Sequence, residues 1–347
     1  MPVIDGSTGV LYVLAATKEN GNYIHRLHAL DITNGAEKFG GPVVIQGSVA
    51  GAGSGSSNGQ IAFDAKIQLQ RPALLLSKGV IYIAWASYND HGPYHGWVMA
   101  YDASTLQQLA IRNDTPDGER GGIWQSGCGL SADDSGNVHL ITGDGTFDAN
   151  TGGRNYGDSF LKLNRDGNSL TVIDYFTPFN QQELSDEDSD VGSSGFVLLP
   201  DQPGPHPHLG VSAGKEGKIY LVDRDNLGKF QSGGDSQIVQ SIPDALGHSG
   251  FDAPAIVKQL PTVSRPQGLI AARRRNLDFS GPPKILDVNL RPAGFVRRVC
   301  DPVAIGGESS MCQVKGRRQK GLQLAIAMHW QQPKRAVFVC AKINLFH

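Results

Sequence analysis

One short phrase recurs four times along the chain and constrains its fold more than any other feature. It reads Gly9-Val-Leu-Tyr12-Val13, Gly79-Val-Ile-Tyr82-Ile83, Gly136-Asn-Val-His139-Leu140 and Gly217-Lys-Ile-Tyr220-Leu221. Each copy is a turn glycine feeding a β-branched or aromatic strand. A short apolar piece precedes each one, at 2–5, 72–76, 129–131 and 195–199. Three copies are followed by a stretch of period-two alternation, at 26–31, 97–102 and 159–164, as expected of half-buried strands. A turn then leads to a fourth piece, at 37–45, 107–111 and 170–176. Four short antiparallel strands per unit, repeated, predict an all-β chain built as β-propeller blades. No segment of residues 1–250 carries a long helical period with caps.

The expected organisation is about four blades, an incomplete propeller, at roughly 1–65, 71–118, 123–180 and 195–243, with an irregular basic tail at 251–347. The phrases start 70, 57 and 81 residues apart, whereas a blade usually takes about 40–50. The excess falls in loops: a Gly/Ser-rich stretch at 47–60, an acidic one at 181–190 and a proline-rich one at 200–208.

Charge divides the chain at the same place as the pattern. Residues 1–250 hold 15 Lys+Arg against 28 Asp+Glu, a net of −13, while 251–347 hold 16 against 5, a net of +11. The acidic part is a poor partner for nucleic acid, because phosphate contacts need Lys and Arg. No apolar run reaches the roughly 18 residues of a membrane span. The amino terminus, MPVIDGSTGV, has no basic segment followed by an apolar stretch, so no secretory signal is read there.

The stretch Ala29-Leu-Asp31-Ile-Thr-Asn-Gly35-Ala-Glu-Lys-Phe39 resembles the repeat of the pyrroloquinoline-quinone (PQQ) β-propellers, quinoprotein alcohol dehydrogenase-like proteins. Its Asp and Asn-Gly build a tight hairpin, and the closing aromatic, Phe39, is expected to pack between neighbouring blades. The resemblance covers residues 1–255. Two further stretches resemble the quinoprotein dehydrogenases: Ile123-Trp124-Gln125-Ser126 with Thr142-Gly143-Asp144-Gly145 and Gly157-Asp158-Ser159-Phe160, and Gly214-Lys215-Glu216-Gly217 with Tyr220-Leu-Val-Asp223-Arg224. The resemblance implies that Asp144 stands at a Ca²⁺-ligand position and Lys215 at the quinone-binding position. It also places the catalytic aspartate at Asp188 or Asp190, with the register open by one step. The adjacent cysteine pair of the dehydrogenases has no counterpart, Cys128 being the sole cysteine of residues 1–250.

Each signal also has a plainer reading. Asp144, Asp148, Asn150 and Asp158 form a Gly-rich acidic loop whose plainer reading is Asp/Asn turn chemistry, against oxygen ligation of a hard cation. Residues 183–190 read as a solvated acidic loop, and Lys215 as a turn cation. His91, His95, His206 and His208 lie beside prolines with no acidic or Cys partner at metal-site spacing and are read as loop histidines. Gly55-Ser-Ser57-Asn-Gly59 matches a nucleophile-elbow pattern but lacks its strand–turn–helix context.

In the tail the phrase stops and paired arginines interrupt any alternation. A basic arm for an anionic surface is one reading. Out-of-frame translation is the favoured one, because genuine basic arms are usually lower in complexity, and codons shifted by one base at 256, 262 and 263 can encode the Tyr and Gly of a blade strand.

Two functions are therefore expected in order. The first is a non-catalytic propeller serving as a binding or structural module of a larger exported protein, for an unknown protein or small-molecule ligand and with no cofactor. The alternative is a fragment of a PQQ- and Ca²⁺-dependent quinoprotein alcohol dehydrogenase. The resemblance implies a periplasmic or extracellular setting for either.

Overall fold

A computed structural model of the chain describes residues 1–246, together with two paired strands, Ala255–Val257 and Gly268–Ile270. The fold is all-β, a propeller-like succession of four-stranded antiparallel blades. The first blade joins Val3–Asp5, Val10–Glu19, Asn22–Asp31 and Val43–Val44. In the second, Leu75–Ser77, Val80–Ser87, Trp97–Asp102 and Gln108–Asn113 pair in order. The third uses Ser131–Ala132, Val138–Ile141, Phe160–Asp166 and Ser169–Thr177. A parallel pairing of Ile111 with Ser169 stitches the second and third blades together. The fourth comprises Val197–Leu198, Leu209–Ala213, Ile219–Asp223 and Gln240–Ile242.

The fourth blade departs from the sequence expectation. In the first three, the Gly-x-β-Tyr-β phrase occupies the second strand. In the fourth, Leu209–Ala213 intervenes and the phrase becomes the third strand. Turn chemistry confirms the slot. Asp31, Asp102 and Asp223 each end a third strand, and each accepts the N–H two residues on: Thr33 at 2.9 Å, Ser104 at 2.8 Å and Asp225 at 2.9 Å.

Blades pack face to face through alternate side chains. Val10, Tyr12, Leu27 and Ala29 of the first meet Ile81, Ile83, Trp85, Trp97 and Met99 of the second. Tyr82, Ala84 and Val98 meet Val138, Leu140, Leu161 and Leu163 of the third. Phe160 and Phe176 meet Phe196 and Tyr220 of the fourth, with ring centroids 5.3 Å apart for Phe160–Phe196 and 5.6 Å for Phe160–Tyr220. Enclosing each large apolar side chain stabilises by about 1.5–3 kcal/mol. Trp85 and Trp97, at 0% and 1% exposure, anchor the first junction.

Phe39 is not the inter-blade aromatic. It is 38% exposed, in a left-handed backbone conformation (φ 56°). Phe63 takes that role from the long connection, packing on His25, Trp85 and Trp97 at centroid distances of 5.7, 5.0 and 5.9 Å. His95 is no loose loop residue either: it is buried, with Nδ1 3.0 Å from Thr115 Oγ1 and Nε2 2.8 Å from the Ser54 carbonyl. That contact pins the Gly/Ser-rich loop, which also donates from Ser54 N to Gly118 O at 2.8 Å. The basic tail lies outside the described residues, apart from the strand pair noted above. Among the described residues no helix is long and apolar enough to cross a membrane.

Candidate functional site

Strand Val138–Ile141 runs out into Thr142-Gly143-Asp144-Gly145, and this segment is held on both sides by backbone bonds. Gly143 donates to Gly122 O at 2.8 Å, Gly121 donates to Asp144 O at 2.7 Å, and Asp158 donates to Gly143 O at 2.7 Å. The turn at 190–192 presses against it. A Cβ on Gly143 would lie 2.2 Å from Asp190 Oδ1, and one on Gly192 would lie 2.5 Å from Thr142 O. Only glycine lets the two segments approach this closely.

The approach gathers four sequence-nominated side chains. The Asp144 N–H donates to Asp190 Oδ1 at 2.7 Å. Asp190 Oδ2 faces Lys215 Nζ at 2.5 Å, and Lys215 also donates to Asp188 Oδ1 at 2.7 Å and Asp188 O at 2.9 Å. Lys215 is carried on the turn between Leu209–Ala213 and Ile219–Asp223, and its own N–H donates to Asp190 O at 3.0 Å. One ligand-type oxygen from each of Asp144, Asp188 and Asp190 can be chosen so that all three lie within 4.8 Å of one another. The two candidate aspartates differ in burial. Asp190 is enclosed, whereas the side chain of Asp188 stands 66% exposed at the rim.

Burial pushes the Asp190 carboxyl up to about 7, with Lys215 opposing and Asp144 adding to the rise. Asp144 is likewise raised by burial, against the pull of Arg120. Asp158, fully buried, is pushed well above the usual carboxylate range by desolvation and then by Asp190. Burial works to lower the Lys215 ammonium, but Asp190 and Asp188 outweigh it and the net movement is upward.

Several partners escaped the sequence reading. Arg120 Nη1 contacts Asp144 Oδ2 at 2.7 Å from a left-handed backbone (φ 64°). Tyr94 donates to Asp90 Oδ1 at 3.1 Å and lies 3.3 Å from Asp144 Oδ1. Trp124, named within the dehydrogenase-like stretch but given no role, lies edge-on to Tyr94 at 6.3 Å, and its buried indole N–H has no hydrogen-bond partner. Gln181, on the short helix Gln181–Asp186, donates to Gly145 O at 3.0 Å. The acidic loop containing Asp144 also divides. Asp148 turns away and closes its own turn, accepting Asn155 N–H at 2.8 Å and Asn155 Nδ2 at 2.6 Å.

Among solved structures, the chain is similar to the quinohemoprotein alcohol dehydrogenase ADHIIG of Pseudomonas putida at 15% identity and a TM-score of 0.43, over 68% of this chain and 33% of that one. It is similar to the quinohemoprotein alcohol dehydrogenase of Comamonas testosteroni at 17% identity and 0.39, over 70% and 42%. A europium-containing methanol dehydrogenase matches at 16% and 0.37, over 70% and 50%. The chain thus spans a third to a half of the length of these dehydrogenases. No family model and no curated protein sequence matches it. The fold class rests on the sheets themselves.

Proposed function

We propose that the chain is a β-propeller binding module of an exported protein, and that its polar centre holds a hard divalent cation. One observation carries this reading: the three carboxylates of Asp144, Asp188 and Asp190 converge within 4.8 Å. All-oxygen donors suit Ca²⁺-like ions. With Lys215 and Arg120 present, the three aspartates keep an excess of one negative charge when ionised. A bound cation would supply fixed positive charge there and hold Asp190 ionised.

A quinone would have to draw the cations of this site away from the aspartates. Lys215 Nζ is engaged by Asp188 and Asp190, and Arg120 is engaged by Asp144. Cys128 has no cysteine next to it in sequence and packs beneath Gly195, where an added Cβ would lie 2.8 Å from its sulfur.

A fragment of a quinoprotein dehydrogenase is the second reading, favoured by a buried aspartate raised to about 7 beside a lysine, which is the environment of a general base. The test titrates terbium, and separately PQQ with Ca²⁺, into the wild-type chain, Asp144→Ala, Asp190→Asn and Lys215→Ala. Terbium uptake lost in the first two variants, with no saturable quinone binding at micromolar concentration, is the expected result. Tight quinone binding that Lys215→Ala and Asp144→Ala both weaken would overturn the module reading in favour of the dehydrogenase.

A further inference from the structure

We infer that Asp158 is a positioning residue that aims Asp190 into the cluster, a role that rests on the cation-centre reading given above. Asp158 is 0% exposed and adopts a left-handed backbone conformation (φ 47°). For a non-glycine residue that conformation is unfavourable and persists only where surroundings enforce it. Here three segments do so. Its N–H donates to Gly143 O at 2.7 Å, fixing it to the strand exit that carries Asp144. Its Oδ1 accepts the N–H of Val191, the residue after Asp190, at 3.2 Å. Its Oδ2 lies 3.4 Å from Gln181 Nε2, the group that also donates to Gly145 O.

The consequence for Asp190 is geometric. Its peptide is gripped at two points: the Asp190 carbonyl by Lys215 N–H at 3.0 Å, and the following amide by Asp158. Both points lie on the peptide that follows Asp190 and hold its Cα in place, and from there its two oxygens reach Asp144 N–H and Lys215 Nζ. Removing the Asp158 carboxylate strands the N–H of Val191, itself 0% exposed. A buried unpaired donor is costly enough to shift the segment toward another acceptor. The Asp190 carboxylate then leaves Lys215 Nζ, although neither residue was changed.

The full chain is tested with a limiting dose of an amine-reactive reagent, reading Lys215 and Lys218 by mass spectrometry in wild type, Asp158→Ala, Asp158→Ser and Asp158→Asn. Lys218, whose side chain is 11% exposed and paired with Asp235 at 2.8 Å, reports loss of fold. Alanine and serine remove or shorten the acceptor. Both are expected to raise Lys215 labelling about fivefold, and to weaken terbium binding about tenfold, the scale of one lost hydrogen bond to a charged group. Lys218 should hold at its wild-type rate. Asn, which keeps an oxygen for the Val191 N–H, should stay close to wild type in both assays.

Wild-type labelling of Lys215 in the alanine and serine variants overturns the proposal. So does Lys218 rising in step with Lys215, which marks a structural role only. A wild-type chain that takes up no terbium removes the cation reading, and the labelling result then decides the role of Asp158 on its own.

Discussion

Asp190 and Lys215 meet at 2.5 Å with side chains 4% and 17% exposed, and each depends on the other's charge to remain where it is. Removing one partner leaves an uncompensated charge under cover. Lys215→Met is expected to destabilise by roughly 2–4 kcal/mol, somewhat less than a fully enclosed pair because the ammonium keeps some contact with water. Asp190→Asn with Lys215→Met should cost less than the sum of the two single changes. Urea denaturation of the four chains measures the coupling.

Removing the competing guanidinium should open the cluster to metal. Arg120 touches Asp144 Oδ2 from a half-exposed position. Arg120→Gln is expected to strengthen terbium binding about tenfold, since a unit positive charge a few ångströms away is lost. Unchanged or weaker binding in a titration would show that Arg120 supports the centre more than it opposes cations.

Buried histidines should loosen the fold in mild acid. His25, His95 and His139 are buried, and burial lowers the affinity of each for a proton, partly opposed at His139 by Asp133. Unfolded imidazoles take up protons near pH 6.5, so the stability they contribute is full above about that value and falls as pH drops below it. The raised Asp190 carboxyl acts in the opposite sense, taking its proton in the folded chain near pH 7, so denaturant midpoints at pH 7.5 and 5.5 are compared in the Asp190→Asn background. Asp133 adds a second loss at lower pH: despite opposing burial, its bonds to His139 and Asn137 hold its carboxyl below the ordinary range.

The close approach at the site should not tolerate a methyl group. Gly143→Ala and Gly192→Ala force a Cβ against Asp190 and the Thr142 carbonyl respectively. Each is expected to cost about 1–3 kcal/mol, the usual range for overpacking. Thermal melts of the two variants provide the measurement.

The exchange of aromatic roles between Phe39 and Phe63 can be weighed directly. Phe63→Ala is expected to cost about 2–3 kcal/mol, below a fully enclosed ring because Phe63 is only half-buried. Phe39→Ala should fall within about 0.5 kcal/mol of wild type, as exposed positions do.

Blade repetition was legible because strands covered on both faces read as short apolar runs opened by a turn glycine, and that run recurs along the chain. The second strand of the fourth blade was not: Leu-Gly-Val-Ser-Ala carries no aromatic, and its Ser212 and Gly210 pack where larger residues would signal a strand. Asp144 and Lys215 could be nominated from short local motifs. The choice between Asp188 and Asp190 could not, since both lie in an acidic loop without periodicity and only burial in the fold separates them. Arg120 was invisible for a different reason. It reaches Asp144 from a Gly-Glu-Arg-Gly-Gly turn with left-handed backbone, where no periodicity operates.

The displaced fourth phrase shows that a sequence word in such a chain has parity as well as meaning. Tyr12 and Tyr82 point toward the next blade, yet Tyr220, in the same word, packs back on Phe160 of the blade before it. Moving the word by one strand inverts which neighbour reads it. Shuffling blades by matching their letters would therefore turn an interior inside out. An exchange that preserves strand slot, even between dissimilar words, would leave every face looking the right way.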